Sequence, residues 1–140
     1  MSAEDNRALI KRFYDEGWNA NNLDVYDELV TDDFVDHQAI PGLPPGRDGF
    51  KGLNSMFRSA FPDVWVEIDN VVAEDDRVGC RWVSTGTHTG DLFGIPPTGK
   101  KVEVTATVFY RVEDGRLAEG WINRDDVGLM RQLGVIPSPE

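Results

Sequence analysis

Basic residues, cysteine and histidine are the scarce components of this chain. Its 140 residues carry 14 Lys and Arg against 25 Asp and Glu, a formal charge of −11. Such a charge repels phosphate backbones and anionic lipid, so no nucleic-acid or membrane partner is expected. The single cysteine, Cys80, excludes an internal disulfide and a multi-cysteine zinc site, and it fits a reducing compartment, the cytoplasm. The two histidines, His37 and His88, lack the spacing on one helix face that fixes a metal, so no metal is expected. No long apolar run comes after the polar start Met1-Ser2-Ala3-Glu4-Asp5-Asn6, which argues against a signal peptide or a membrane span. Dinucleotide, phosphate-loop and nucleophile-elbow motifs are missing as well, and no cofactor is expected.

What remains is the composition of one globular domain over residues 1–140, with 40% hydrophobic and 28% charged residues. The acids are unevenly placed. No Lys or Arg occurs from Phe13 to Gly46, while Asp15, Glu16, Asp24, Asp27, Glu28, Asp32, Asp33 and Asp36 fall there. That block disfavours an anionic ligand.

Hydrophobic spacing divides the chain into helices followed by strands. Leu9, Ile10, Phe13, Tyr14 and Trp18 recur at helical spacing behind a capping pattern from Ser2 to Asp5. A shorter helix takes in Leu23, Tyr26, Leu29 and Val30, and a short strand runs from Phe34 to Gln38. Pro41 to Gly46 holds three prolines and two glycines and reads as a loop. A helix capped by Asp48 comes next, with Phe50, Leu53, Met56, Phe57, Ala60 and Phe61 on its apolar face and Pro62 at its end. The period then changes to two, giving strands Val64–Ala73, Val78–His88, Lys101–Val112 and Leu117–Arg124. Asp125 or Asp126 caps a last helix through Leu129 and Leu133, closed by Gly134. Helices followed by an antiparallel meander define an α+β domain.

A sheet covered by helices on one face leaves a pocket between the layers. Alternation alone permits either face to look inward: Val78, Cys80, Trp82, Ser84 and His88, or Arg81, Val83, Thr85 and Thr87, with matching choices on the later strands.

Several segments together closely resemble the SnoaL-like polyketide cyclases, also called ester cyclases: Asp33-Phe34-Val35-Asp36-His37, Gly42-Leu43-Pro44-Pro45-Gly46-Arg47, Gly86-Thr87-His88-Thr89-Gly90, Gly94-Ile95-Pro96-Pro97-Thr98-Gly99 and Arg131-Gln132-Leu133-Gly134. The resemblance spans essentially the whole chain. It implies a cone-shaped fold shared with nuclear transport factor 2, in which N-terminal helices pack on a curved, mostly antiparallel sheet and enclose a pocket, usually in a homodimer. It also implies cofactor-independent ring closure, with an aspartate on the last long strand moving the proton. In this chain that aspartate falls at Ile122, the cyclase histidine at Val108 and a neighbouring polar residue at Ala106. The Arg and paired Asp of the related epoxide hydrolases would fall at Trp82, Ser84 and Ile122.

The resemblance selects the even-numbered face. Trp82, Ser84, Val104, Ala106, Val108, Tyr110 and Ile122 are then expected to line the pocket, a surface suited to a small hydrophobic molecule. For acid/base chemistry there remain Asp36, His88 and Arg124, with Gln38 as a polar orienter and a pairing of Asp36 with His88 as the candidate. The expected function is proton transfer on a small hydrophobic or polyketide-like carbonyl compound. The alternatives are a non-catalytic binding protein that kept the pocket, and an epoxide hydrolase. Each candidate also has a structural reading: a turn for Asp36, backbone anchoring for His88, a surface pair with Asp126 for Arg124 and a small buried apolar residue for Cys80.

Overall fold

The computed structural model describes residues 2–137. Helix α1, Ala3–Arg12, starts on a capping box: the Ser2 hydroxyl accepts from the Asp5 amide at 3.0 Å, and the Asp5 carboxylate accepts from the Ser2 amide at 3.1 Å. It runs on into a π-helical segment, Phe13–Asn19, whose wide turn is marked by the Ala20 amide donating to the Asp15 carbonyl at 2.9 Å. A 3₁₀ turn, Leu23–Val25, and the four-residue α2, Tyr26–Leu29, lead directly into strand β1, Val30–Asp36.

Sequence periodicity puts Val30 at the end of a helix and starts the strand only at Phe34. The chain instead turns extended at Val30, because that stretch pairs in parallel with the last strand. Helix α3, Arg47–Ala60, is preceded by Gly46 at φ +75°, where a side chain would also meet the Asp32 carbonyl at 2.4 Å. Gly46 therefore holds the capping position expected for Asp48, and no side chain caps the helix.

Strands β2 (Trp65–Glu74), β3 (Arg77–Thr87), β4 (Lys101–Glu113) and β5 (Arg116–Arg124) form the meander. The five-stranded sheet is ordered β1-β5-β4-β3-β2, antiparallel except for the β1–β5 pair. Register shifts at Ile68/Asn70 and Arg111/Val112 are the bulges that bend such a sheet. Helix α4, Asp126–Leu133, packs on β4 and ends at Gly134 in the left-handed region, φ 81°.

Two hydrophobic clusters fill the space between the helices and the sheet. One gathers Phe13, Tyr14, Tyr26, Phe34, Trp82 and Tyr110; the other Phe57, Phe61, Leu92, Val104, Leu129 and Leu133. Each such side chain contributes roughly 1.5–3 kcal/mol on burial. Even-numbered residues of β3 and β4 look inward along nearly their whole length. Among the described residues no helix is long and apolar enough to cross a membrane.

Candidate active site

The seam between the two clusters is not filled. An inner chamber there holds about 80 Å³ of room for a water-sized sphere, and its wall includes Tyr14, Trp18, Phe57, Trp82, Ser84 and Val104. A smaller chamber of about 40 Å³ adjoins it, bordered by Asp36, Gln38, Val108, Tyr110, Ile122 and Arg124. Tyr110, Ile122 and Arg124 belong to both walls. The lining is apolar apart from a few polar tips, the pattern of a site for a hydrophobic ligand.

Within the inner chamber three aromatic side chains form a hydrogen-bonded chain. The Trp82 indole N–H donates to the Tyr14 hydroxyl at 3.1 Å, and the Tyr14 and Tyr110 hydroxyls lie 2.7 Å apart. Two hydroxyl hydrogens are present and one is used between the two oxygens, so the other has no protein acceptor among the described residues. Burial pushes both phenols well above their ordinary value, helped at Tyr14 by Tyr110 and Cys80 and at Tyr110 by Cys80. The pair thus stays neutral and keeps its spare hydrogen. Burial also pushes the Cys80 thiol up to about 12, which makes it an inert apolar residue.

Local structure places these groups. The π-helical segment carries Tyr14 and Trp18, four residues apart, onto the same chamber. Gly17 lies between them because the Tyr26 ring occupies its side-chain space: a Cβ there would be 2.6 Å from Tyr26 Cε1. The Tyr26 hydroxyl accepts from Asn54 Nδ2 at 2.7 Å, and the same amide donates to the Gly17 carbonyl at 2.9 Å. Asn54, fully buried on α3, thereby locks the first helix, α2 and α3 together.

Of the residues expected from sequence, Asp36, Gln38 and Arg124 meet around the smaller chamber. Asp36, half-buried at the end of β1, accepts from the Gln38 amide at 2.9 Å, and Gln38 Oε1 accepts from the Ile122 amide at 2.7 Å. Arg124 donates from Nε to Asp126 at 2.6 Å, and its guanidinium lies 4.9 Å from the centre of the Phe57 ring. Trp82, Ser84, Val104, Val108, Tyr110 and Ile122 all border one chamber or the other.

Two expectations are corrected. Ala106 faces inward but lines neither chamber: it is a buried methyl beside Trp82 in the ladder, and the larger ring takes the cavity surface. His88 lies just past the end of β3, lines neither chamber and makes no pair with Asp36. Its Nδ1 accepts from the Thr98 amide at 3.2 Å and lies 3.0 Å from the Thr98 hydroxyl, its amide donates to the Lys100 carbonyl at 2.9 Å, and its ring packs on Phe61. These bonds hold the Gly- and Pro-rich connection between β3 and β4.

Tyr14, Trp18, Phe50, Leu53 and Phe57 line the chambers without being recognisable as lining in the sequence, because helical spacing marks them only as core. The signal that distinguishes Tyr14 is its polar tip within an otherwise apolar stripe. Asp125 caps α4 through the Gly128 amide at 2.9 Å, and Arg124 pairs with Asp126, both matching the structural readings of those residues. Among the described residues no group of three His, Cys, Asp or Glu is placed to hold a metal ion.

An open five-stranded sheet, helices across one face and an apolar chamber with a few polar tips define the class of α+β domains that enclose small ligands. Within that class, the chain belongs to the SnoaL-like polyketide cyclase family, whose model matches residues 8–133. It is similar to the aklanonic acid methyl ester cyclase DauD of Streptomyces sp. (strain C5), 25% identical over 94% of this chain and 84% of that one. It is also similar to the nogalonic acid methyl ester cyclase of Streptomyces nogalater, 27% identical over 84% of this chain and 89% of that one. Among solved structures, IdmH of Streptomyces antibioticus is 34% identical with a TM-score of 0.80, covering 91% of this chain and 97% of that one. TsrD of Streptomyces laurentii shares the fold at a TM-score of 0.89 and 24% identity, over 97% of this chain and 99% of that one.

Proposed function

We propose that this protein is a cofactor-independent enzyme that moves a proton on a small, neutral, hydrophobic carbonyl compound of polyketide type, leading to ring closure, isomerisation or dehydration. The observation that carries the reading is the spare hydroxyl hydrogen of the Tyr14–Tyr110 pair in an apolar chamber. A carbonyl oxygen placed there receives a hydrogen bond that strengthens as the oxygen becomes an enolate, in a setting where water does not compete. Asp36, beside Tyr110 in the smaller chamber, is the group to take a proton from the carbon next to that carbonyl and to return it to the product. Arg124 supplies positive charge near the same wall. Family membership supports the reaction class. The family resemblance further supports a homodimer and a cytoplasmic location.

The test is turnover of a panel of neutral aromatic and cyclic ketones by the purified protein. Either tyrosine alone leaves one hydroxyl, so the decisive variant is Tyr14→Phe with Tyr110→Phe. Loss of that donor is expected to lower kcat by about 10²–10³-fold, with Asp36→Asn also inactive. Turnover unchanged in both variants overturns the reading.

A binding role without chemistry is the second reading, favoured by Ile122, an apolar side chain on the wall shared by both chambers where the cyclases' aspartate is expected. Saturable binding without turnover, converted to turnover by Ile122→Asp, is its signature.

A further inference from the structure

Three cavities lie in a row on this molecule. Outside the two chambers is a surface groove of about 460 Å³ between β1 and the loop of residues 39–46, rimmed by Asp32, Asp33 and Asp36. Its inner end borders the smaller chamber through Phe34, Asp36 and Ile40. Two side chains, Phe50 and Leu53, belong to the walls of all three cavities. They stand on the first half of α3 and separate spaces that would otherwise be continuous. The two closed chambers, at about 80 and 40 Å³, are well below the roughly 300–1,000 Å³ of a site that holds a drug-sized ligand. A multi-ring compound therefore reaches the Tyr14–Tyr110 pair only when this partition moves.

The surroundings of Phe50 allow such movement. Its ring stands edge-on to Phe34 at 4.5 Å between centroids and to Phe13 at 5.6 Å, contacts without any polar tie, and the residue is only half-buried. Gly49 and Gly52 flank it on the helix. The backbone beneath is held: Arg47 donates from Nε and Nη2 to the Val30 carbonyl at 3.0 and 2.9 Å, and Asn54 is buried and bonded on the other side. What is free to change is the pair of side chains, by rotamer.

We infer that Phe50, assisted by Leu53, is the door between the acid-rimmed groove and the catalytic chamber, and that its size sets the largest neutral aromatic ketone the protein admits. The inference rests on the proposed reading of the chamber as a ligand site. The groove's three carboxylates make the route selective against anions, in keeping with a neutral ligand.

The experiment is stopped-flow binding followed by the fluorescence of Trp18 and Trp82, which line the inner chamber. The probes are acetophenone, 2-acetylnaphthalene and 9-acetylanthracene, which differ only in ring number. In the wild type the association rate is expected to fall with each added ring. Phe50→Ala should raise it by about tenfold or more for the three-ring probe and little for acetophenone, because a required rearrangement has been removed. Phe50→Leu, which keeps an apolar side chain for folding, should give a smaller change in the same order. Trp18→Ala, which opens only the inner chamber's wall, is the rival route, read by the fluorescence that Trp82 retains. A rate gain in Trp18→Ala rather than in the Phe50 variants, or equal factors for all three probes, overturns the door while leaving the ligand chamber intact. No saturable binding of any probe to any variant overturns the chamber reading, and the door with it.

Discussion

The two halves of the interior treat their buried polar groups in opposite ways. In the cluster around Phe13 and Tyr110, the hydroxyls bond to one another and to Trp82, and one hydrogen is left over beside the chamber. Near the cluster around Phe61 and Leu92, His88 is as completely buried, yet its ring nitrogen Nδ1, its amide and its carbonyl are all engaged by the 98–100 segment. A buried polar group with its partners in place stabilises a connection; one with an unmatched hydrogen beside a cavity is available to a ligand. Burial alone therefore does not mark a functional residue, whereas the count of donors against acceptors does.

That contrast is broken first at His88. Replacing it with alanine should cost about 2–3 kcal/mol of stability, since it removes a packed ring and leaves the Thr98 amide without its acceptor. Urea unfolding measures this, and affinity for the ketone probes should be unchanged in the folded fraction. A loss of affinity at full stability would make His88 a ligand residue.

The tyrosines give the opposite result through pH. Both are held neutral in the folded chain, while in the unfolded chain they ionise near the ordinary value of 10.0. As pH rises above ~10 the unfolded state gives up these protons and the folded state does not, so stability that is intact below pH ~10 falls above it by about 1.4 kcal/mol per pH unit for each hydroxyl. Alkaline unfolding of the Tyr14→Phe, Tyr110→Phe double variant should be correspondingly less steep than that of the wild type. The smallest effect is expected at Asp125→Ala, about 1 kcal/mol from the lost helix cap with ligand binding unaltered, which separates this acid from Asp36 by function.

Much of the fold was legible from period and punctuation. Alternation located the four long strands to within a residue or two, and the Ser2 to Asp5 cap and the Asp125 cap are set by short-range chemistry that sequence displays directly. β1 was legible only from Phe34, because the conformation of Val30 is decided by a partner strand 87 positions later, Leu117. The inward face needed the family resemblance, since both alternations are chemically plausible. The chamber itself was half visible. Strand residues such as Trp82 and Tyr110 come from register, but Tyr14 and Phe50 lie on helices whose apolar stripes look the same whether they meet other side chains or empty space.

The acidic block of residues 15–36 also divides in two. Asp15, Glu16, Asp27 and Glu28 pair with Lys11, Arg12, Arg47 or Lys51 on the surface, while Asp32, Asp33 and Asp36 rim the groove.

The π-helical turn sets a limit on how this chain can be edited. Loops such as that of residues 39–46 tolerate changes of length, but one residue removed between Phe13 and Asn19 would return the segment to ordinary helical winding and swing the residues beyond the deletion by about 100°. Trp18 would leave the chamber while Tyr14 stayed. An alignment gap placed in this stretch, or a graft that straightens it, therefore marks a protein with a different ligand wall, however similar the strands beneath.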